Sequence, residues 1–96
     1  CRDVDSAARH LIAQAGLGAH FAHGTGHGVG LEIHEAPYLG ASAIGNLAVG
    51  MTITIEPGVY LPGRGGVRIE DTLVVTDSAH HVLTEAPRGL QVLEAR

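Results

Sequence analysis

Two runs of alternating apolar and polar residues flank one glycine-rich turn, and this arrangement limits the fold more than any other feature. The runs span residues 51–56 and 67–75, and the turn cluster between them is Pro-Gly-Arg-Gly-Gly at 62–66. A period of two is typical of strands with one buried face. We therefore predict an antiparallel hairpin. Pro57-Gly58 should interrupt its ladder, because proline has no amide hydrogen to donate.

Two acidic residues lie on the polar face of this hairpin. If the turn centres near Gly63, Glu56 and Glu70 lie opposite one another. Directly opposed side chains are about 4.5–5.5 Å apart at Cβ, and like charges there are destabilising. A cation between them would remove the repulsion. The pair is thus either two solvated acids on an exposed face or two ligands of a metal ion.

The N-terminal residues have a helical period instead. Asp3 or Asp5 suits the first turn of a helix, and Gly16 suits the left-handed residue that ends one. We expect the helix to pack on the sheet, which makes the fold class α+β. Its predicted apolar face consists of Val4, Ala7, Ala8, Leu11, Ile12 and Ala15.

The remaining segments carry weaker signals. Residues 35–50 predict a loop, because proline and glycine interrupt any period. A short last strand is predicted around residues 81–83, after a turn at Asp77-Ser78, and residues 85–96 form a terminal segment.

Composition excludes several functions. The net charge is −4 and lysine is absent, whereas nucleic-acid binding requires a basic face. The single cysteine excludes an internal disulfide and fits a reducing compartment. The chain contains no run of about 18 apolar residues, so the sequence predicts no membrane-spanning helix.

The segment His23-Gly-Thr-Gly-His27-Gly-Val-Gly-Leu-Glu-Ile-His34-Glu35 holds three histidines and four glycines. It is neither a zincin motif, because Tyr38 replaces the second histidine, nor a phosphate loop, because lysine is absent. His27 and His34 are seven apart, so they share one site only if the strand bends or bulges. Imidazole and carboxylate together are typical of a catalytic divalent metal site. His10, His20, His80 and His81 are interpreted as ordinary loop or core histidines.

Three blocks of the chain resemble the pita-bread metallopeptidases, the family of prolidase, Xaa-Pro aminopeptidase and methionine aminopeptidase. The blocks are residues 23–37, 50–60 and 66–72, and the resemblance runs from about Asp5 to Leu93. It implies part of a pita-bread fold, with the helix packed on a curved antiparallel sheet. The form Arg-Ile-Glu-Asp at 68–71 is similar to the proline-specific branch. It favours an Xaa-Pro dipeptidase or Xaa-Pro aminopeptidase, and the choice between these stays open.

The resemblance also implies a set of site residues. The family binds two divalent metal ions, for which manganese or cobalt is favoured and zinc or iron is tolerated. The implied metal ligands are His27, Glu56 and Glu70, of which Glu70 bridges the two ions. His23 and His34 would bind substrate and take part in catalysis, and Glu56 would relay a proton. Arg68 would support substrate binding and hold the bridging acid charged.

The family's other two ligands are aspartates upstream of the region that matches this chain. The chain begins at Cys1 and enters a helical pattern almost at once. We therefore expect residues 1–96 to be the C-terminal part of a longer catalytic domain, inactive by itself. The parent would be a cytoplasmic hydrolase, homodimeric, that cleaves peptides with proline at the second position.

Two other interpretations compete with a peptidase. A pita-bread domain that has lost catalysis would work as a binding or scaffold unit, but such a domain is expected to lose at least one of His27, Glu56 and Glu70. An unrelated histidine-rich metal-binding domain would leave the glutamate strands unexplained.

Overall fold

Within the described residues the structure has one α-helix, one 3-10 turn and seven strands, which confirms the α+β class. The computed structural model describes residues 1–95; Arg96, the last residue of the predicted terminal segment, lies outside them. Helix α1 spans Arg2–Gln14, and a 3-10 turn follows at Gly18–His20. The strands are β1 Gly26–Gly28, β2 Glu35–Leu39, β3 Thr52–Ile55, β4 Gly58–Leu61, β5 Gly65–Arg68, β6 Asp71–Val75 and β7 His80–Val82.

Five of the strands form an antiparallel sheet in the order β2-β1-β3-β6-β7, and β4 pairs with β5 in a separate hairpin. The predicted hairpin is confirmed. Ile53 pairs with Leu73 and Val59 pairs with Val67, so one register centred on Gly63 runs through both ladders. The predicted interruption at Pro57-Gly58 is confirmed at Pro57, but Gly58 already belongs to β4, where it pairs with Arg68. This shared register places Glu56 level with Glu70.

The prediction of a loop across residues 35–50 was wrong at its start, because Glu35–Leu39 forms β2. Pro37 lies within this strand, after a cis peptide bond with Ala36. The strand tolerates proline because it lies at the edge of the sheet, where one side of the backbone needs no partner. The predicted last strand is confirmed as β7, which begins one residue earlier than expected.

A small aliphatic core lies on one face of the sheet. Leu39, Ile53 and Leu73 are buried there, and Met51 and Ile55 pack against them. Met51, Ile53, Ile55 and Leu73 lie on the same side of the alternating runs. For these four residues, the period of two predicted the buried face correctly. The other face of β3 carries Thr54, which leads to the site.

Helix α1 packs on the sheet through its first turns. Val4 contacts the core cluster, and Asp5 is fully buried. The expected apolar face is therefore only partly covered, since Leu11 remains 68% exposed. Gly16 has φ 77° and ends the helix as predicted. No helix within residues 1–95 is long and apolar enough to cross a membrane.

Candidate metal centre

A bulge in the first strand pair brings two of the predicted histidines together. Opposite His27 lies Tyr38, but opposite the next residue, Gly28, lies Glu35, so two residues of β2 are left without partners. The chain then leaves the regular strand before residue 34. As a result the rings of His27 and His34 lie 4.2 Å apart between centroids. The bulge that the odd spacing required is therefore present.

Glycines allow the strands around His27 to approach closely. A Cβ on Gly26 would lie 1.8 Å from the carbonyl oxygen of Thr54 on β3, and a Cβ on Gly28 would lie 2.4 Å from that of Ala36 on β2. No side chain fits at either position without a shift of backbone. The glycines thus place His27, which is only 9% exposed, between two neighbouring strands.

His27 presents one ring nitrogen to the acid on β3. Its Nδ1 lies 2.9 Å from the carbonyl oxygen of Gly28, so Nδ1 is a hydrogen-bond donor there and Nε2 is directed toward Glu56. Nε2 lies 3.0 Å from Oε1 of Glu56. Two lone-pair-bearing atoms at this distance repel one another unless a proton or a cation lies between them. A backbone carbonyl that holds the other ring nitrogen is also what metal-binding histidines use.

The hydroxyl of Thr54 hydrogen-bonds to both His27 and Glu56. It accepts a hydrogen bond from the backbone amide of His27 at 3.1 Å and donates one to Oε1 of Glu56 at 2.9 Å. The Thr54 side chain is buried, at 3% exposure. The amide of Glu56 donates to the carbonyl oxygen of Thr25 at 2.6 Å. Both the backbone and the carboxylate of Glu56 are therefore fixed.

Arg68 lies between the two predicted acidic ligands. Its Nε is 3.7 Å from Oε2 of Glu56 and 3.9 Å from Oε2 of Glu70. It also donates from Nη1 to the hydroxyl of Tyr60 at 3.5 Å. The hydrogen bond to Tyr60, and then the charges of Glu56 and Glu70, raise the pKa of Arg68. The guanidinium thereby partly neutralises two carboxylates that would otherwise repel one another.

His23 faces the same region from the segment before β1. Its Nδ1 lies 2.7 Å from the carbonyl oxygen of Gly24, and its Nε2 lies 2.9 Å from the hydroxyl of Tyr60. With the proton on Nδ1, Nε2 accepts from the Tyr60 hydroxyl. The ring of Phe21 packs edge-on against that of His23, with centroids 5.2 Å apart.

A cavity of ≈ 560 Å³ joins these residues. Its lining includes every predicted site residue except Glu70, which lies beyond Arg68: His23, His27, His34, Glu56 and Arg68. Within residues 1–95, no group of three or more histidine, cysteine or acidic side chains is assembled to hold a metal. The structure thus brings His27 and Glu56 together as a pair, while Glu70 approaches them through Arg68.

A buried polar cluster, which sequence reasoning missed, attaches helix α1 to the histidine segment. Asp5 is fully buried and accepts two hydrogen bonds from Thr25, from its amide and its hydroxyl, at 3.1 and 2.9 Å. Arg9 donates to both oxygens of Asp5, at 2.8 and 3.0 Å. Burial raises the pKa of the Asp5 carboxyl, but the hydrogen bonds from Arg9 and Thr25 outweigh it and hold that pKa below its usual range.

Comparison with known proteins identifies the family. The sequence model of Metallopeptidase family M24 matches residues 1–77. The chain belongs to this family. It is 44% identical over 92 residues to the uncharacterized peptidase YqhT of Bacillus subtilis, covering 96% of this chain and 26% of that protein. It is 49% identical over 89 residues to the Xaa-Pro dipeptidase of Pyrococcus horikoshii, covering 93% and 25%.

The fold agrees with that family. The solved Xaa-Pro dipeptidase from Bacillus anthracis superposes with a TM-score of 0.91 at 49% identity, over 93% of this chain and 25% of that one. The expected part of a pita-bread fold is thereby confirmed. The chain spans about a quarter of the length of the relatives that it matches.

M24 proteins are metallopeptidases, so the site can be tested for its fit to a divalent metal. The donor types fit, because imidazole nitrogen and carboxylate oxygen suit manganese, cobalt, iron and zinc. The geometry of one pair also fits, since Nε2 of His27 and the carboxylate of Glu56 face one another at 3.0 Å. These two residues would hold an ion, and Glu70 would add a third ligand, a second carboxylate.

Proposed function

We propose that the protein containing this segment is a dinuclear-metal peptidase that hydrolyses Xaa-Pro bonds. The observation that carries the proposal is the facing pair of His27 Nε2 and Glu56 Oε1, 3.0 Å apart in a cavity of ≈ 560 Å³. In support, relatives at 49% identity are named Xaa-Pro dipeptidase. We assign His27, Glu56 and Glu70 as metal ligands, and the remaining ligands to parts of the protein beyond this chain.

Each polar side chain at the cavity has a task in this proposal. Two divalent ions, when bound, activate a water molecule and polarise the scissile carbonyl. Glu56 takes up a proton from the attacking water and relays it toward the leaving amine. His23 and His34 line the cavity. His34 donates a hydrogen bond to the developing oxyanion, and Nε2 of His23 accepts one from the peptide in place of the Tyr60 hydroxyl. His23 suits this task because Tyr60 and the Gly24 carbonyl hold its ring in one orientation.

Arg68 has two tasks. Its guanidinium lies within 4 Å of both Glu56 and Glu70, so its positive charge reduces the repulsion between these two carboxylates. Its side chain is also half exposed and lines the cavity, which allows it to contact the bound peptide. We propose manganese or cobalt as the ion, a peptide with proline at the second position as the substrate, a homodimer as the assembly and the cytoplasm as the location.

The alternative of a non-catalytic scaffold is opposed by the orientation of the ring of His27. A binding domain has no need to direct Nε2 of His27 toward an acid, nor to fix that acid through Thr54. The orientation of His27 and Glu56, fixed by these hydrogen bonds, supports a peptidase.

The test is a single substitution at the acid that we assign as the bridging ligand. In the whole protein with added manganese, Glu70→Ala should reduce Xaa-Pro dipeptide hydrolysis by about 100–1,000-fold, the scale of losing one group that stabilises charge in the transition state. The matched control is Glu85→Ala, since Glu85 is exposed and lies outside the cavity. Full activity in Glu70→Ala would remove its bridging role, and an inactive wild-type protein would remove the peptidase assignment.

A further inference from the structure

Helix α1 contacts the histidine segment through a side chain that the metal site does not explain. Arg9 makes four hydrogen bonds. Two go to the buried Asp5, and the other two go to backbone carbonyl oxygens, those of Phe21 from Nη1 and of His23 from Nη2, each at 2.9 Å. These carbonyls bracket the residues that lead into the cavity.

A second route connects Arg9 to the same histidine. The Arg9 guanidinium carbon lies 4.3 Å from the centroid of the Phe21 ring, within the range of a cation–π contact. The Phe21 ring, which is 3% exposed, packs in turn edge-on against the His23 ring. Arg9 therefore contacts the backbone of His23 directly and reaches its imidazole through the Phe21 ring.

Simple attachment of the helix would not require this arrangement. Asp5 already binds Thr25 with two hydrogen bonds, and these suffice to join α1 to the strand segment. The fixed planar fork of arginine matches two carbonyls and one carboxylate at once, whereas the single ammonium of lysine cannot. Its carbonyl contacts act on residues 21–23, not on the helix.

We propose that Arg9, oriented by Asp5, is a positioning residue for His23. Its hydrogen bonds hold the backbone carbonyls of Phe21 and His23, and its guanidinium packs on the Phe21 ring. These contacts set the position of the His23 ring relative to Tyr60 and the cavity. Asp5 extends the same control to Glu56, because Thr25 accepts the hydrogen bond of the Glu56 amide. This proposal rests on the peptidase function for its kinetic consequences, but not for its structural ones.

The first test is kinetic and uses the whole protein with manganese. Arg9→Lys keeps the positive charge beside Asp5 but loses the two carbonyl contacts. Arg9→Gln loses the charge as well as the carbonyl contacts. We expect kcat and kcat/KM for an Xaa-Pro dipeptide to fall together by tenfold or more in each variant, with metal content unchanged, because an interaction of the transition state is misplaced. The matched control, Arg88→Gln, breaks another arginine–aspartate pair, Arg88 with Asp71 at 2.8 Å, and should keep activity within twofold.

The second test does not depend on activity. In the ¹⁵N-histidine spectrum of the whole protein, His23 should show the Nδ1-protonated tautomer that its contact with Gly24 requires. Arg9→Lys should shift this signal toward a tautomer mixture, while Arg88→Gln leaves it in place. If Arg9→Gln fails to fold, Arg9→Lys carries the same comparison.

The outcomes separate the two proposals. An unchanged His23 signal and unchanged kinetics in folded Arg9→Lys would overturn the positioning role, since ion pairing alone would then suffice. A wild-type protein without peptidase activity would overturn the proposed function, and the shift of the His23 signal would still decide the role of Arg9.

Discussion

The hydroxyl of Thr54 connects the two residues that we assign to one metal ion. It accepts from the amide of His27 and donates to the carboxylate of Glu56, and Thr54 itself is buried. Such hydrogen bonds orient ligands, and their loss typically lowers metal affinity about 10–100-fold.

We therefore expect Thr54→Val to weaken manganese binding by about 10–100-fold and to cost about 1–3 kcal/mol of stability, because the buried His27 amide loses its acceptor. Thr54→Ser is the matched control, since it keeps the hydroxyl and removes only a methyl group. Calorimetric titration of the whole protein with manganese measures the affinity. Equal affinities in the valine and serine variants would show that the hydroxyl has no orienting role.

Some single-residue roles were predictable and others were not. The motif blocks indicated His27, Glu56 and Arg68, whereas Tyr60 was missed, because the interruption at Pro57 separates it from the alternating run that ends at Glu56. Asp5 was beyond reach, because an acid in the first turn of a helix is normally solvated and favours the helix dipole. Its burial depends on Thr25, 20 residues away.

At the level of strands, the site depends on the close approach of β1 to its neighbours. Gly26 leaves no room for a Cβ beside the backbone of Thr54. Strand β1 has only three residues, so a shift there displaces His27 from Glu56 directly.

Gly26→Ala should therefore destabilise the whole protein by about 1–3 kcal/mol, the usual cost of overpacking, and reduce its affinity for manganese. Gly89→Ala serves as the control, because a Cβ there meets nothing within 4 Å, and its effect should stay within about 0.5 kcal/mol. Denaturant unfolding measures both. A Gly26→Ala protein as stable as the control would contradict the close packing of β1 on β3.

The strand arrangement was predicted best where local chemistry determines it. The turn at 62–66 and the period of two set the register of the long hairpin, and the odd spacing of His27 and His34 required the bulge that is present. Strand β2 was missed because a proline such as Pro37 normally indicates the end of a strand. Only the sheet order, which places β2 at an edge, makes that proline tolerable.

At the level of the whole molecule, the elements converge on one cavity. The histidine segment, the β3 end and the β4–β5 hairpin contribute His27, Glu56 and Arg68 to its lining, although they are separated by up to about 40 residues in sequence. The order of the motif blocks predicted this convergence. The resemblance placed Arg68 beside Glu70, but the sequence could not predict its contact with Glu56 as well, because side-chain direction at the interruption after Glu56 is not set by alternation.

The most direct test of the central claim is the position of the metal itself. Crystals of the whole protein grown with manganese should give an anomalous peak within coordination distance of both His27 Nε2 and the Glu56 carboxylate, and crystals of His27→Ala should lose density there. Manganese bound elsewhere, with His27 and Glu56 still paired directly, would contradict the account.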